Sequence, residues 1–154
     1  MRPLGAGDAE AVAALIRLAF AAIPVPLDPA PSALGETGGS VLAHLQAGGG
    51  GAVVGDGGPQ GLQACVLWSE REGGLYFGRL CVHPSVQGRG LAGLLVGAAV
   101  DEARRRGLPR LHLGVRLALT GNRRLFARLG FTETRLRTHE GYDGPTWVEA
   151  ERWL

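Results

Sequence analysis

The chain contains no lysine, so all 16 of its basic residues are arginine. A Walker-type phosphate-binding loop requires a Gly-Lys-Ser/Thr step, and the absence of lysine excludes that class of nucleotide site. The formal net charge of +2 gives no strong field, so nucleic-acid binding is not expected. No run of about 18 apolar residues is present, so no membrane span is predicted. The N-terminus lacks the basic start and apolar segment of a signal peptide, and we therefore expect a cytoplasmic protein.

Cysteine is also scarce, and the two that occur cannot form a disulfide framework. Cys65 and Cys81 each lie within a short apolar run of the kind that forms a strand. We therefore expect both to pack as small hydrophobic residues rather than act as nucleophiles. No Cys/His pair has the spacing of metal ligands, and no metal site is predicted.

Glycine, in contrast, is abundant, with 26 residues among the 154. The excess falls in turns such as residues 48–51 and 55–58, and no internal repeat or long linker divides the chain. A chain of this length buries about 70% of its unfolded surface, which is enough for a complete core. We therefore expect a single domain over residues 1–154.

The hydrophobic pattern changes from helical to strand-like and back along the chain. It predicts helices over residues 8–22, 40–47, 89–106 and 120–129, with Ser40 capping the second helix. It predicts strands over residues 1–4, 51–54, 62–68, 75–82, 110–116, 131–137 and 145–153. The middle strands form a meander rather than alternating with helices. The sum is an α+β fold.

The most informative segment joins the strand ending at Val82 to the long helix that follows. Gly88 and Gly90 allow the backbone to turn its N–H groups inward and allow a ligand to approach closely. The helix N-terminus adds free N–H groups and a positive dipole end, so the segment suits a pyrophosphate. The alternative is an ordinary glycine-rich turn without a ligand.

A dinucleotide-binding interpretation of the same segment is disfavoured. Residues 88–93 spell the G-x-G-x-x-G fingerprint, but the fingerprint needs its glycines directly after the strand, and Pro84, Ser85 and Val86 intervene here. The next strand ends at Val115 and Arg116, where the fingerprint needs an acidic residue. The meander before the loop also does not fit a doubly wound sheet.

The motifs resemble the GNAT superfamily of acyl-CoA-dependent N-acyltransferases. Residues 87–92 match its Gln/Arg-x-x-Gly-x-Gly/Ala signature, residues 79–84 resemble its fourth strand, and residues 124–131 resemble its later helix and Leu-Gly-Phe turn. The resemblance implies a GNAT-like mixed, mainly antiparallel sheet flanked by helices. It also implies an N-acetyltransferase that takes an acetyl group from acetyl-CoA.

The resemblance further implies which residues bind the cofactor. The fourth strand would line the pantetheine arm, the glycine loop would hold the pyrophosphate, and the later helix would flank the far side. The implied contacts are Leu80, Cys81, Val82, Gln87, Gly88, Arg89, Gly90, Leu91, Ala92, Asn122 and Phe126. Arg89 or Arg123 could pair with the ribose phosphate, or both could be solvated surface residues.

The catalytic groups depart from the family pattern. Phe126 occupies the position of the family's frequent tyrosine acid, and Leu119 replaces a frequent asparagine. His139 and Tyr142, between the last two strands, and Glu36, in the Pro-rich segment, are the alternative candidates for proton transfer. Bound water with direct thiolate departure is a further alternative.

Two functions remain open from the sequence. The first is acetyl transfer by direct attack of an amine, on a small molecule or a peptide, whose identity the sequence does not define. The second is a non-catalytic acyl-CoA-binding or interaction domain on the same fold. Because related enzymes often dimerise and a mixed sheet leaves free edges, we also expect a homodimer.

Overall fold

The structure is a computed structural model that describes residues 1–55 and 61–154. Among these residues, no helix is long and apolar enough to cross a membrane. The helices are α1 (Ala9–Ala21), α2 (Gly38–Gln46), α3 (Leu91–Arg105) and α4 (Thr120–Arg128). The strands are β1 (Arg2–Pro3), β2 (Gly50–Gly55), β3 (Leu62–Arg71), β4 (Gly74–Val82), β5 (Arg110–Arg116), β6 (Thr132–Arg137) and β7 (Trp147–Trp153). Part of the turn predicted over residues 55–58 lies outside the described residues.

The described strands form one mixed sheet in the order β1-β2-β3-β4-β5-β7-β6. Neighbouring strands are antiparallel except for β4 and β5, which are parallel. The parallel pair needs a crossover connection, and α3 provides it. The predicted mixed, mainly antiparallel α+β sheet is therefore confirmed.

Helices cover both faces of the sheet because the strands alternate buried side chains between two cores. One core packs α3, through residues such as Leu95 and Ala99, against β3 and β4. The other packs α1, through residues such as Val12 and Ile16, against the opposite face. Cys65 belongs to this second core.

The two cysteines pack as the sequence predicts. Cys65 and Cys81 are directly opposite each other on β3 and β4, and both are buried. Their sulfur atoms lie 3.5 Å apart, and both thiols are free. The hydrogen bond to Cys81 and burial raise the pKa of the Cys65 thiol, which makes it a poor nucleophile.

The boundaries of the second helix differ from the prediction. Thr37, not Ser40, caps α2, because the side chain of each of these two residues accepts a hydrogen bond from the backbone N–H of the other. The amide of Ser40 donates to the Thr37 hydroxyl at 3.0 Å, and the amide of Thr37 donates to the Ser40 hydroxyl at 2.9 Å. The Ser40 hydroxyl also donates to Glu36, which extends the cap toward the loop before α2.

Strands β4 and β5 separate soon after they begin. They pair only at Leu75 with Leu111 and at Tyr76 with His112. The register between β3 and β4 shifts beyond this point, and Arg79 adopts a left-handed backbone with φ of 53°. An extra residue of this kind bends a strand. The bend turns β4 away from β5 and opens a wedge between the two strands.

Candidate active site

Three cavities formed by described residues adjoin along β4, each sharing lining residues with the next, and together they are called the passage. The glycine cleft (520 Å³) lies between the end of β4 and the start of α3. The central cavity (290 Å³) fills the wedge between β4 and β5. The polar cavity (370 Å³) lies between α2, β3 and β4. The first two share Phe20, Leu80, Leu119, Asn122 and Phe126, and the last two share Ser32, Tyr76, Gly78 and Arg79.

Free backbone N–H groups line the glycine cleft. None of the main-chain N–H groups from residue 87 to residue 93 donates a hydrogen bond to a described residue, and Leu94 is the first to bond back, to Gly90. Gly88 and Gly90 have φ of 80° and 79°, which L-residues rarely adopt. A Cβ at either position would enter open space. The loop and the positive end of α3 therefore form a cradle for an anion.

Most residues predicted to contact the cofactor line this cleft. They are Leu80, Cys81, Val82, Gln87, Gly88, Gly90, Leu91, Ala92, Asn122 and Phe126. Arg89 is exposed and does not belong to the wall of the cleft. Arg123 donates twice to the Glu133 carboxylate, at 2.8 Å each, so its guanidinium is already engaged.

The central cavity has main-chain groups of β4 on one wall. Since β4 and β5 pair only as far as Tyr76, the β5-facing groups from Gly78 to Val82 have no partner in the described part of β5. Their N–H groups can donate to a ligand in the wedge. Phe126 is 7% exposed, and its ring centroid lies 6.1 Å from that of Phe77. It packs at the floor of the wedge.

His139 lines the central cavity, which it reaches from the loop between β6 and β7. Its backbone N–H donates to the Thr146 hydroxyl at 3.0 Å, and its Nδ1 hydrogen-bonds to the same hydroxyl. Burial, and then the charge of Arg116, lower the pKa of His139 below its usual value near 6.5. The imidazole is therefore neutral at neutral pH and held through Nδ1.

Tyr142 lies near His139, with ring centroids 6.2 Å apart, but outside the lining of the central cavity. Its hydroxyl donates to the Asp28 carboxylate, which raises the pKa of the phenol. A higher pKa makes the phenol a weaker acid. The contact ties the loop after α1 to the loop between β6 and β7. The structure therefore brings one of the two predicted loop residues into the wedge.

Glu36 lies in the polar cavity, apart from His139. Its carboxylate forms an ion pair with Arg79 at 3.3 Å and accepts a hydrogen bond from the Ser40 hydroxyl at 2.7 Å. Arg79 also donates to the Ser32 hydroxyl at 3.2 Å. Both carboxylate oxygens of Glu36 are engaged, so this side chain is positioned as part of a polar network.

Sequence patterns miss three residues of the site. Arg79 and Arg116 each line the central cavity, and Thr146 holds His139. Arg116 gives only a weak signal, because β5 also carries Arg110 and His112. Thr146 gives none, because its partner is set by the loop conformation. Within residues 1–55 and 61–154, no group of three or more His, Cys, Asp or Glu side chains is placed to bind a metal.

The fold and a family model together define the class of the protein. Solved acetyltransferase structures share this mixed sheet and its helices. A family model described as the Acetyltransferase (GNAT) family matches residues 28–131, more than half of the chain. The chain belongs to the GNAT acetyltransferase family and is an acyltransferase of the N-acetyltransferase type.

Solved structures share the fold across nearly the whole chain. yncA from Salmonella typhimurium, solved with its cofactor acetyl-CoA, is 21% identical with a TM-score of 0.72, over 99% of this chain and 92% of that one. The ribosomal-protein-S18-alanine N-acetyltransferase from Escherichia coli is 19% identical with a TM-score of 0.75, over 99% and 91%. A GNAT family acetyltransferase from Elizabethkingia anophelis with acetyl-CoA bound is 16% identical with a TM-score of 0.62, over 87% and 94%. No curated protein sequence matches the chain significantly.

Proposed function

We propose that residues 1–154 form one catalytic domain that transfers an acetyl group from acetyl-CoA to an amine by direct attack in the central cavity. The observation that carries this proposal is that two cavities adjoin along β4. The glycine cleft, lined by N–H groups and suited to a pyrophosphate, shares lining residues with the wedge that His139 lines. The acceptor is a small-molecule or peptide amine that reaches the wedge through the polar cavity.

The glycine cleft fits the donor in chemistry and shape. The free N–H groups of residues 87–93 would bind the pyrophosphate, and Leu80 to Val82 would line the pantetheine arm. Two of the solved structures with this fold contain acetyl-CoA. Acetyl-CoA would supply the acetyl group as a thioester. The N–H groups of β4 that face the wedge would stabilise negative charge on the carbonyl oxygen.

His139 is the group we propose to accept the proton from the amine. An amine attacks only when it is not protonated, so a nearby base increases the reactive fraction. In the tautomer that donates Nδ1–H to the Thr146 hydroxyl, Nε2 is left to accept a proton. The lowered pKa of His139 keeps this nitrogen unprotonated at neutral pH.

Phe126 has no proton to give at the position where the family often has a tyrosine. The site therefore relies on water in the passage, or on direct departure of the thiolate. A thiol pKa near 8.5 makes that departure tolerable without a dedicated acid. Tyr142 is the weaker candidate for the acid because its hydroxyl already donates to Asp28.

The decisive experiment measures thiol release from acetyl-CoA across a panel of amines, together with the melting temperature in acetyl-CoA or NADH. We expect acetyl-CoA, but not NADH, to raise the melting temperature. We also expect thiol release that depends on an amine. Stabilisation without thiol release from any amine would favour the non-catalytic acyl-CoA-binding domain. The absence of stabilisation by acetyl-CoA would overturn the donor site itself.

The expected homodimer is part of the proposal. β1 and β6 are the edge strands of the described sheet, and Leu136 on β6 is 58% exposed. The unpaired main-chain groups of an edge strand form a surface on which a second copy can pair. Light scattering at working concentrations should give the mass of a dimer, and the mass of a monomer would contradict this expectation.

A further inference from the structure

The central and polar cavities together carry more positive than negative charge. Their described lining residues include Arg71, Arg79 and Arg116, but Glu36 is the one carboxylate among them. Glu36 neutralises Arg79 through their ion pair. Two guanidinium groups are therefore left without a balancing carboxylate in the wall of the compartment that would receive the acceptor.

Arg116 is the more informative of the two, because it is half-buried on the wall of the wedge. Its guanidinium makes no hydrogen bond or ion pair with any described residue. The carboxylate that acts on it at longer range is Asp28, and Asp28 accepts the hydrogen bond of Tyr142. A guanidinium held partly out of water without a partner is costly, and an anion in the cavity would remove that cost.

Arg116 also lies close to the proposed base. Its charge contributes to the lowered pKa of His139, and both side chains line the central cavity. An anionic group bound to Arg116 and an amine that faces His139 could therefore belong to one small molecule in which the two groups lie close together. Phe20, Leu27 and Trp147 make the rest of this wall largely apolar.

We propose that the acceptor is an apolar amino acid, whose carboxylate pairs with Arg116 while its amine faces His139. A planar guanidinium binds a carboxylate through two parallel hydrogen bonds, which fixes the orientation of the amine. Polycationic amines are disfavoured because the same cavities would repel them. This inference rests on the proposed function and narrows it to one acceptor class.

The test compares amino acids with their primary amides, which lack the carboxylate, and with a polycationic amine. Initial rates of thiol release are measured with L-leucine and L-phenylalanine, with their primary amides, and with spermidine. We expect kcat/KM to be roughly tenfold to a hundredfold higher for the free acids, since the loss of a hydrogen bond to a charged group weakens binding by about that factor. Amides or spermidine used as well as the acids would overturn the proposal. Thiol release would still support the acetyltransferase function in that case.

A matched set of variants assigns the effect to Arg116. Arg116→Gln should raise KM for the free acids roughly tenfold or more while leaving KM for the amides nearly unchanged. Arg116→Lys should restore part of the loss, and Arg104→Gln, at an exposed position in the last turn of α3, should have no effect. Calorimetric binding of L-leucine to the CoA complex should weaken in parallel in Arg116→Gln. Equal losses for acids and amides would overturn the role of Arg116.

Discussion

The glycine cleft and the polar cavity stand at the two ends of one passage and are built from different parts of the chain. The cleft is lined by main-chain N–H groups from one continuous segment, residues 87–93. The polar cavity is lined by charged and polar side chains from α2, β3, β4 and the loop before α2. Under the proposed function, the main-chain groups would recognise the pyrophosphate that every acyl-CoA donor shares, whereas the side chains can be matched to one acceptor. The cleft would then accept any acyl-CoA donor, and the polar side would select the acceptor.

The largest expected effect is at the donor end. Gly90→Val should weaken acetyl-CoA binding by roughly a hundredfold or more, because φ of 79° strains a β-branched residue and the side chain would project into the cradle. Isothermal titration of acetyl-CoA measures this directly.

The matched control is Gly97→Val on the exposed side of the same helix, where an added Cβ also meets open space but φ is helical. It should leave the affinity for acetyl-CoA unchanged. Equal affinities for wild type and Gly90→Val would show that the loop does not bind the donor.

The same contrast explains what the sequence could predict. Glycines at residues 88 and 90, between a strand and an amphipathic helix, mark the donor end because a backbone site requires particular residue types in one segment. The central and polar cavities together contain Ser32, Arg71 and Arg116, which come from distant segments of the chain. A local sequence pattern cannot predict that such residues lie close together. The sequence similarly missed the Thr37 cap, since Ser40 has an equally good capping side chain.

The next effect concerns chemistry in the wedge. His139→Ala should lower kcat at saturating acetyl-CoA by about 10²-fold, as expected for the loss of a general base. Thr146→Val should lower kcat by less, because it removes the hydrogen bond that orients the ring. In wild type, the rate should fall on the acid side below pH 6.5, since burial and Arg116 lower the pKa of His139 and protonation removes the base. An unchanged pH profile in His139→Ala would assign the base to another group.

Smaller effects are expected at the two aromatic positions considered for the acid. Phe126→Tyr should change kcat by less than about tenfold, because the buried ring packs against Phe77 and the proposed mechanism uses no hydroxyl at this position. Tyr142→Phe should match Asp28→Ala, with the loss mainly in KM, because both variants remove the same hydrogen bond between the two loops. A fall of about 10²-fold in kcat for Tyr142→Phe alone would restore Tyr142 as the acid.

The smallest effect should fall outside the passage, near the end of α3. Glu102 accepts hydrogen bonds from Arg105 at 2.6 Å and Arg106 at 2.7 Å, and these arginines lower its pKa to about 2. Because water reaches this cluster, Glu102→Gln should lower the free energy of unfolding at pH 7 by about 1 kcal/mol. A carboxyl whose pKa is lowered in the folded state stabilises the fold at pH values above its unfolded-state pKa. The difference in stability between wild type and Glu102→Gln should therefore vanish as the pH falls from about 4.5 to 2.

Glu102→Gln also tests the comparison between the two ends, because it should lower the stability of the fold without changing the affinity for the donor or the acceptor. Chemical denaturation at several pH values measures the first, and titration of acetyl-CoA measures the second. A weakened affinity for acetyl-CoA would mean that the cradle depends on the far end of its helix.

The most direct test of the central claim is amide hydrogen exchange, with and without acetyl-CoA, because the claim concerns main-chain N–H groups. Bound acetyl-CoA should slow exchange in residues 87–93, which have no acceptor among the described residues, and in residues 78–82 of β4. The outer strand β6 should exchange at the same rate in both states. Unchanged exchange in residues 87–93 in the presence of saturating acetyl-CoA would contradict the account.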